Sequence, residues 1–275
     1  MDEKDQERLR LLLELFPNAA AQLRGALGNI EFAVSRLVPP EARDFNREMD
    51  RNAALLYQSY YRLLRLVNNF SDAPYLLDDK PLELVDRDLT VLVGELCRKA
   101  EAMAELRGLH LTFESQLPEG HLVAVHPEGI ERLLLNLLSN AFKFTPAGGS
   151  VRVGLQKVGE NILLTVTDTG CGISEELLPT LFDRCLHTDR RDPAPHGLGL
   201  GLPICQGIAR AHGGQMMAVS TPGKGTRMTL SLPDRRSDHP VISDLPFDYA
   251  GGFDRVLLEL SDALPMEAFL QRRTD

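Results

Sequence analysis

Three stretches of this sequence combine chemically capable side chains with backbone that can approach a ligand closely. In NLLSNAFKFT (136–145), Asn136, Asn140 and Lys143 are spaced four and three residues apart. On a helix they project from one face. An amide oxygen is a hard ligand suited to magnesium, and a lysine ammonium neutralises phosphate charge. A merely solvated polar face accounts for Lys143 better than for the two asparagines, which are poor helix-interior residues. In DTGCGI (168–173), Asp168 follows the apolar run ILLTV. A carboxylate at the end of a strand can accept from the exocyclic amine of a base, and Gly170 and Gly172 let the backbone approach a flat ring. In HGLGLGLPI (196–204), alternating glycines run into a helix. They offer backbone amides and the positive end of the helix dipole to phosphate. This loop is neither a GxxxxGK[ST] nor a GxGxxG motif, and TPGKGT fits neither.

These stretches need a scaffold, and the hydrophobic periodicity supplies one. Leu9, Leu13, Phe16, Ala20, Leu23, Leu27, Ile30, Val34 and Leu37 alternate spacings of four and three, a heptad seam. Pro17 should kink that helix or mark a restart, and Pro39-Pro40 should end it. A second seam follows through Met49, Ala53, Leu56, Tyr60, Leu63, Val67 and Phe70. Two such helices cannot hide both apolar faces alone. A dimeric four-helix bundle would bury them, as would packing on the rest of the chain, and the sustained heptads favour the dimer. After a linker at 71–81 the pattern changes to strands alternating with helices. LELVDRDL reads as a strand, and a helix follows that ends at Gly108. LHLTFESQL and HLVAVH are strands, and PEGIERLLLNLLSNAFKF is a helix with proline in its first turn. SVRVGLQKV and NILLTVTD form a hairpin, PICQGIARAHGG is a helix, and QMMAVSTPGKGTRMTLSLP is a closing hairpin. Expected units are therefore a hairpin (1–75), an α/β domain (76–233) and a tail (234–275). The tail carries FDRVLLELSDAL, enough for a short docked helix or strand.

Composition narrows the function. The 275 residues carry a formal net charge of −9, which disfavours nonspecific nucleic-acid binding. No apolar run approaches a membrane span, and MDEKDQERLR lacks the apolar core of a signal peptide, so a cytoplasmic location is expected. Cys97, Cys171, Cys185 and Cys205 form no CxxC pair and read as incidental thiols.

In this order, the three stretches resemble the ATP-binding domain of sensor histidine kinases, of the wider superfamily that includes gyrase and MutL. LFDRC (181–185) is similar to the family's phenylalanine box, with Cys185 in place of an aromatic, and PGKGT to its final glycine-threonine element. The resemblance covers roughly residues 5 to 232. It implies an α+β fold, with a helical hairpin forming a dimeric four-helix bundle and an α/β sandwich ATP-binding domain after it. It implies ATP with Mg2+ as cofactors. Asn140 would ligate magnesium with Asn136 nearby, Lys143 would contact phosphate, and Phe144 would pack near adenine. Asp168 would accept from the adenine amine in a pocket shaped by Gly170 and Gly172. Gly197, Leu198, Gly199, Leu200 and Gly201 would line the phosphates beneath a lid at about 184–198, and Thr226 would close the site. Arg184 would stabilise charge on the transferred phosphoryl group. His187 and His196, in or beside the lid, read as exposed loop histidines.

The same resemblance makes one difference conspicuous. In the family, the first hairpin helix carries a histidine, then an acid, then Leu-Arg-Thr-Pro-Leu. Leu23, Arg24 and Leu27 align with that motif, so the histidine position falls on Ala21 and the acid position on Gln22. Gly25 and Ala26 stand where threonine and proline would be. An alanine methyl has no lone pair to accept phosphoryl, and the first histidine in the chain is His110. Autophosphorylation on a hairpin histidine is therefore not possible. Three functions remain: a two-component kinase phosphorylating a partner in trans, within a homodimer or heterodimer; a signalling pseudokinase that binds ATP or a response regulator; and an ATPase of the wider superfamily.

Overall fold

Apart from the half-buried Met49, the described seam residues meet one of two fates in the hairpin. The computed structural model describes residues 3–71, 82–182, 199–237 and 254–270. Helix α1 (Glu3–Leu37) runs as one helix through Pro17, so the expected restart there does not occur. The proline removes a single hydrogen bond from a 35-residue helix. A short helix α2 (Pro40–Phe45) turns the chain, with Pro40 in its first turn where no amide is required. Asn46 then caps α3 (Arg47–Ser71), its Oδ1 accepting from the amides of Glu48 and Met49 at 3.1 Å. Ala20, Leu27 and Val34 on α1, and Ala53, Tyr60 and Val67 on α3, are buried. The alternate members Leu23, Ile30, Leu37, Leu56 and Leu63 are exposed. One row of each seam thus closes the hairpin and the other faces outward. The side chains of Leu9, Leu13, Phe16 and Phe70 lie outside those described.

The second region is built on strand alternation. β1 (Val85–Asp88) pairs antiparallel with β3 (Leu122–Val125). The strand expected over 82–89 is shorter, beginning at Val85 where its pairing with Val125 begins, and it stops at Asp88, whose carboxylate accepts from the amides of Thr90 and Val91. This starts α4 (Leu89–Leu106) at Leu89. The larger sheet contains β2 (His110–Ser115), β4 (Ser150–Val158), β5 (Asn161–Asp168), β7 (Gly225–Pro233) and β6 (Gln215–Thr221), in the order β2-β4-β5-β7-β6. Only β2 and β4 pair in parallel. Val151, Val153 and Leu155 on β4, with Ile162, Leu164 and Val166 on β5, turn inward at alternate positions. They pack against α4, α5 (Pro127–Phe144) and α6 (Gly201–Ala211) in a single hydrophobic core. The result is a helical layer on a mixed sheet preceded by a helical hairpin, the α+β architecture expected.

The tail residues FDRVLLELSDAL include a helix, α7 (Arg255–Leu260), capped by Asp254 and followed by a 3-10 turn at Met266–Phe269. Val256, Leu258, Leu260, Leu264 and Phe269 are buried, and the segment packs against α3, α4 and α5.

Candidate nucleotide site

Helix α5 is the axis of the site. The His126 ring caps its start: Nδ1 accepts from the Gly129 amide at 3.0 Å, and Pro127 occupies the first turn. Its inward face is a row of buried leucines, among them Leu133, Leu134, Leu137 and Leu138. The opposite side presents Asn136, Asn140 and Lys143 on one stripe, as the four-and-three spacing requires. Asn136 is buried, while Asn140 and Lys143 are half-buried. Burial is the largest influence on Lys143 and lowers its pKa. Asp262 opposes that shift, and Arg65 and Arg62 add to it.

The glycine loop meets α5 at Asn136. A Cβ on Gly201 would lie 3.0 Å from Asn136 Oδ1, close enough that the Asn136 amide would have to give by a few tenths of an ångström. The first turn of α6 begins at Gly201 and has no side-chain cap. Its leading amides are the kind of donor an anion satisfies. Gly199 is exposed and Leu200 half-buried at the approach to this turn.

The Asp168 turn meets the C-terminal end of α5. Asp168 Oδ1 accepts from the amide of Gly170 at 2.8 Å and from that of Thr226 at 3.3 Å. Thr226 is the cross-strand partner of Asp168 on β7, and its hydroxyl is 2.9 Å from Ser220 Oγ. Burial raises the pKa of the Asp168 carboxyl, against the two amides that favour its ionised form. A Cβ on Gly170 would stand 2.6 Å from the Phe144 carbonyl oxygen, which accepts from the Cys171 amide at 3.2 Å. Gly172 has φ +70, and a Cβ there would strike the Thr221 carbonyl. The Phe144 ring is exposed, with Lys143 Nζ 5.7 Å from its centroid. Asn136, Asn140, Lys143, Phe144, Asp168, Gly170, Gly172, Gly199, Leu200, Gly201 and Thr226 are thus distributed along the outer face of one helix from its middle to its C-terminal end. Arg184, Cys185, His187, His196, Gly197 and Leu198 lie outside the described residues. Ala21 and Gln22 are exposed on α1.

Two contributors were not legible as such. Arg65, on α3, donates from Nη2 to Asn136 Oδ1 at 3.1 Å and from Nη1 to Ser139 Oγ at 3.0 Å. Burial pushes its pKa down to about 10, so it is still cationic at neutral pH. His212, the buried residue that caps the end of α6, has Nδ1 2.7 Å from the Ile208 carbonyl while Nε2 accepts from the His126 amide at 2.9 Å. That pair of bonds fixes the neutral Nδ1-H tautomer and ties α6 to the start of α5. Burial pushes its pKa down to about 4. A histidine before Gly-Gly is a faint sequence signal for such a role. Arg65 offers none.

Residues 125–236 match the family of histidine kinase-, DNA gyrase B- and HSP90-like ATPases. Together with the hairpin before them, they support a sensor histidine kinase core with a GHKL-type ATP-binding domain. Sensor histidine kinase Hik2 of Thermosynechococcus vestitus is 33% identical over 243 residues, 84% of this chain and 60% of that protein. Adaptive-response sensory kinase SasA of Synechococcus sp. (strain JA-3-3Ab) is 31% identical over 214 residues, 76% of this chain and 52% of that protein. The chain therefore spans about half the length of these curated relatives. Full-length ShkA in complex with AMPPNP shares the fold with a TM-score of 0.62 at 22% identity, covering 83% of this chain and 47% of that one. Among the described residues, no helix is long and apolar enough to cross a membrane.

Proposed function

We propose that the chain is a cytoplasmic, ATP-dependent component of two-component signalling, dimeric through its hairpin (1–75), that phosphorylates histidine on a partner in trans. That partner would be a second kinase chain or a protein carrying the missing acceptor, with a response regulator downstream. The observation that carries this reading is a pairing. The Asp168 turn lies at the C-terminal end of α5 and the uncapped turn at Gly201 lies beside Asn136 on the same helix, while the hairpin presents an exposed alanine at position 21. A pocket retained without its own acceptor is useful if the acceptor is elsewhere.

The residues present fit magnesium-ATP. The uncapped amides of the first turn of α6 suit phosphate oxygens, and Asn140, one turn beyond Asn136 on α5, adds a neutral oxygen ligand. Magnesium would neutralise phosphate charge when bound. Lys143 would contribute the protein's own cation, and Asp168 would hold the adenine amine. Arg184 and the residues of the 184–198 segment belong to this reading through resemblance to the family.

Transfer of label from γ-labelled ATP separates the alternatives. Wild-type protein should not label itself on the hairpin. The Ala21→His, Gln22→Glu double variant restores an acceptor and its acid and should become labelled at residue 21. Nucleotide binding with no transfer to this variant or to any candidate partner would identify a pseudokinase. Steady phosphate release by wild-type protein alone would identify an ATPase.

A further inference from the structure

Residues 254–270 make contacts that a spacer would not. They run along α3 and reach both halves of the molecule. Leu258 is buried in a cluster with Ala20, Leu27, Tyr60, Leu64 and Val67, so it packs on the hairpin one residue from Ala21. One helical turn later, Asp262 Oδ2 is 2.8 Å from Arg65 Nη1. Ser261 accepts from Arg62 Nε through its carbonyl at 3.4 Å, and the Leu264 carbonyl accepts from Gln58 Nε2 at 2.9 Å. Glu259, fully buried, pairs with Arg132 on α5 and lies 3.4 Å from Arg65 Nε. Arg132 in turn donates to Asn69 on α3 at 2.8 Å.

The chemistry of this network points in one direction. Arg62, Arg65 and Lys143 form a cationic group beside the polar stripe of α5, and Asp262 is the acid that acts on both Arg65 and Lys143. A triphosphate entering at Asn136 would seek the same cations. With the tail docked, one carboxylate already answers them, and the guanidinium of Arg65 occupies the oxygen of Asn136. Anion and cation positions of the site are therefore both engaged from within the chain. We infer that the segment Asp254–Leu270 is an autoinhibitory clasp: it holds α3 against the outer face of α5 and competes with the triphosphate of magnesium-ATP for the cations around Asn136. This rests on the proposed ATP binding at that stripe. By linkage, whatever the clasp subtracts from nucleotide affinity, the nucleotide subtracts from clasp stability.

The test uses the full chain and two readouts. Asp262 retains 26% of its side-chain exposure, so Asp262→Asn removes the carboxylate charge at the edge of the buried network. Titration calorimetry should show magnesium-ATP binding about fivefold tighter or more to the variant than to wild type. Hydrogen exchange on wild-type protein guards against a variant that fails to fold: amides of Leu257–Leu264 should exchange faster when magnesium-ATP is added. If both proteins bind ATP equally and tail exchange is unchanged, the clasp is wrong and the nucleotide site stands. If neither binds ATP, the clasp falls together with the nucleotide site.

Discussion

If the outward row of the hairpin seam meets a second copy, Leu56→Asp with Leu63→Asp should split the dimer while leaving each hairpin folded. Leu23, Ile30, Leu56 and Leu63 keep 45%, 50%, 40% and 48% of their surface exposed in the single chain. Fully burying such a side chain is worth about 2 kcal/mol, so covering the remaining half is worth roughly 1 kcal/mol each. Over both copies that is on the order of 8 kcal/mol before the cost of association. Losing Leu56 and Leu63 from both copies would remove about half of it, and the new carboxylates would face one another. Dimer affinity should therefore weaken by about a thousandfold or more. Inside each hairpin, Ala53, Tyr60 and Val67 still bury against α1, so helicity should survive. Sedimentation velocity across a concentration series is the assay, with far-UV circular dichroism as its control. A wild-type protein that is monomeric at high concentration, or a double variant that dimerises as wild type does, would refute the assignment of the outward row to a partner copy.

Three further outcomes concern the site. Asn140→Ala should weaken magnesium-ATP binding about tenfold or more, since a lost bond to a charged partner is worth roughly 1.5–3 kcal/mol; unchanged calorimetric affinity would remove Asn140 from the site. Because burial raises the pKa of Asp168, acidification should protonate it before an ordinary aspartate and release the nucleotide. Asp168→Asn, which keeps a carbonyl acceptor, should bind more weakly but lose that acid sensitivity, as fluorescence titration with a nucleotide analogue would show. His212 has a folded pKa of about 4 against an ordinary 6.5, so its stabilising effect is complete above 6.5 and lost as pH falls from 6.5 towards 4. Below that window the loss is on the order of 3 kcal/mol. Urea melts at pH 7 and pH 5 should show a smaller difference for His212→Asn than for wild type.

How much of this was legible in the sequence follows from the range of each interaction. The α5 stripe was readable because three polar residues at helical spacing interrupt a leucine-rich run. The Asp168 turn was readable because an apolar strand ends in Asp-x-Gly. Both are local signals. The two rows of the hairpin seam are identical as patterns, and only three-dimensional packing decides which row closes the hairpin. The short β1 shows the limit of local reading in the other direction: Asp88 caps a helix whose first residue still looks like strand. Arg65 is invisible for a different reason. Its partners Asn136, Ser139 and Asp262 lie 71, 74 and 197 residues away, and no spacing rule reaches that far.

The alanine at position 21 can be separated from packing by the same structure. Its neighbour Ala20 is fully buried against α3 and the tail, where a larger side chain would collide with Tyr60, Leu64 or Leu258. Ala21 and Gln22 themselves are exposed. A histidine at 21 would meet solvent, and its lower helix propensity would cost well under about 1 kcal/mol. What is missing at the acceptor position is therefore chemistry and not space. The Ala21→His, Gln22→Glu variant accordingly reports on phosphoryl transfer rather than on folding. Its near-wild-type melting temperature, measured beside the labelling assay, is the condition under which a negative result counts against a working kinase.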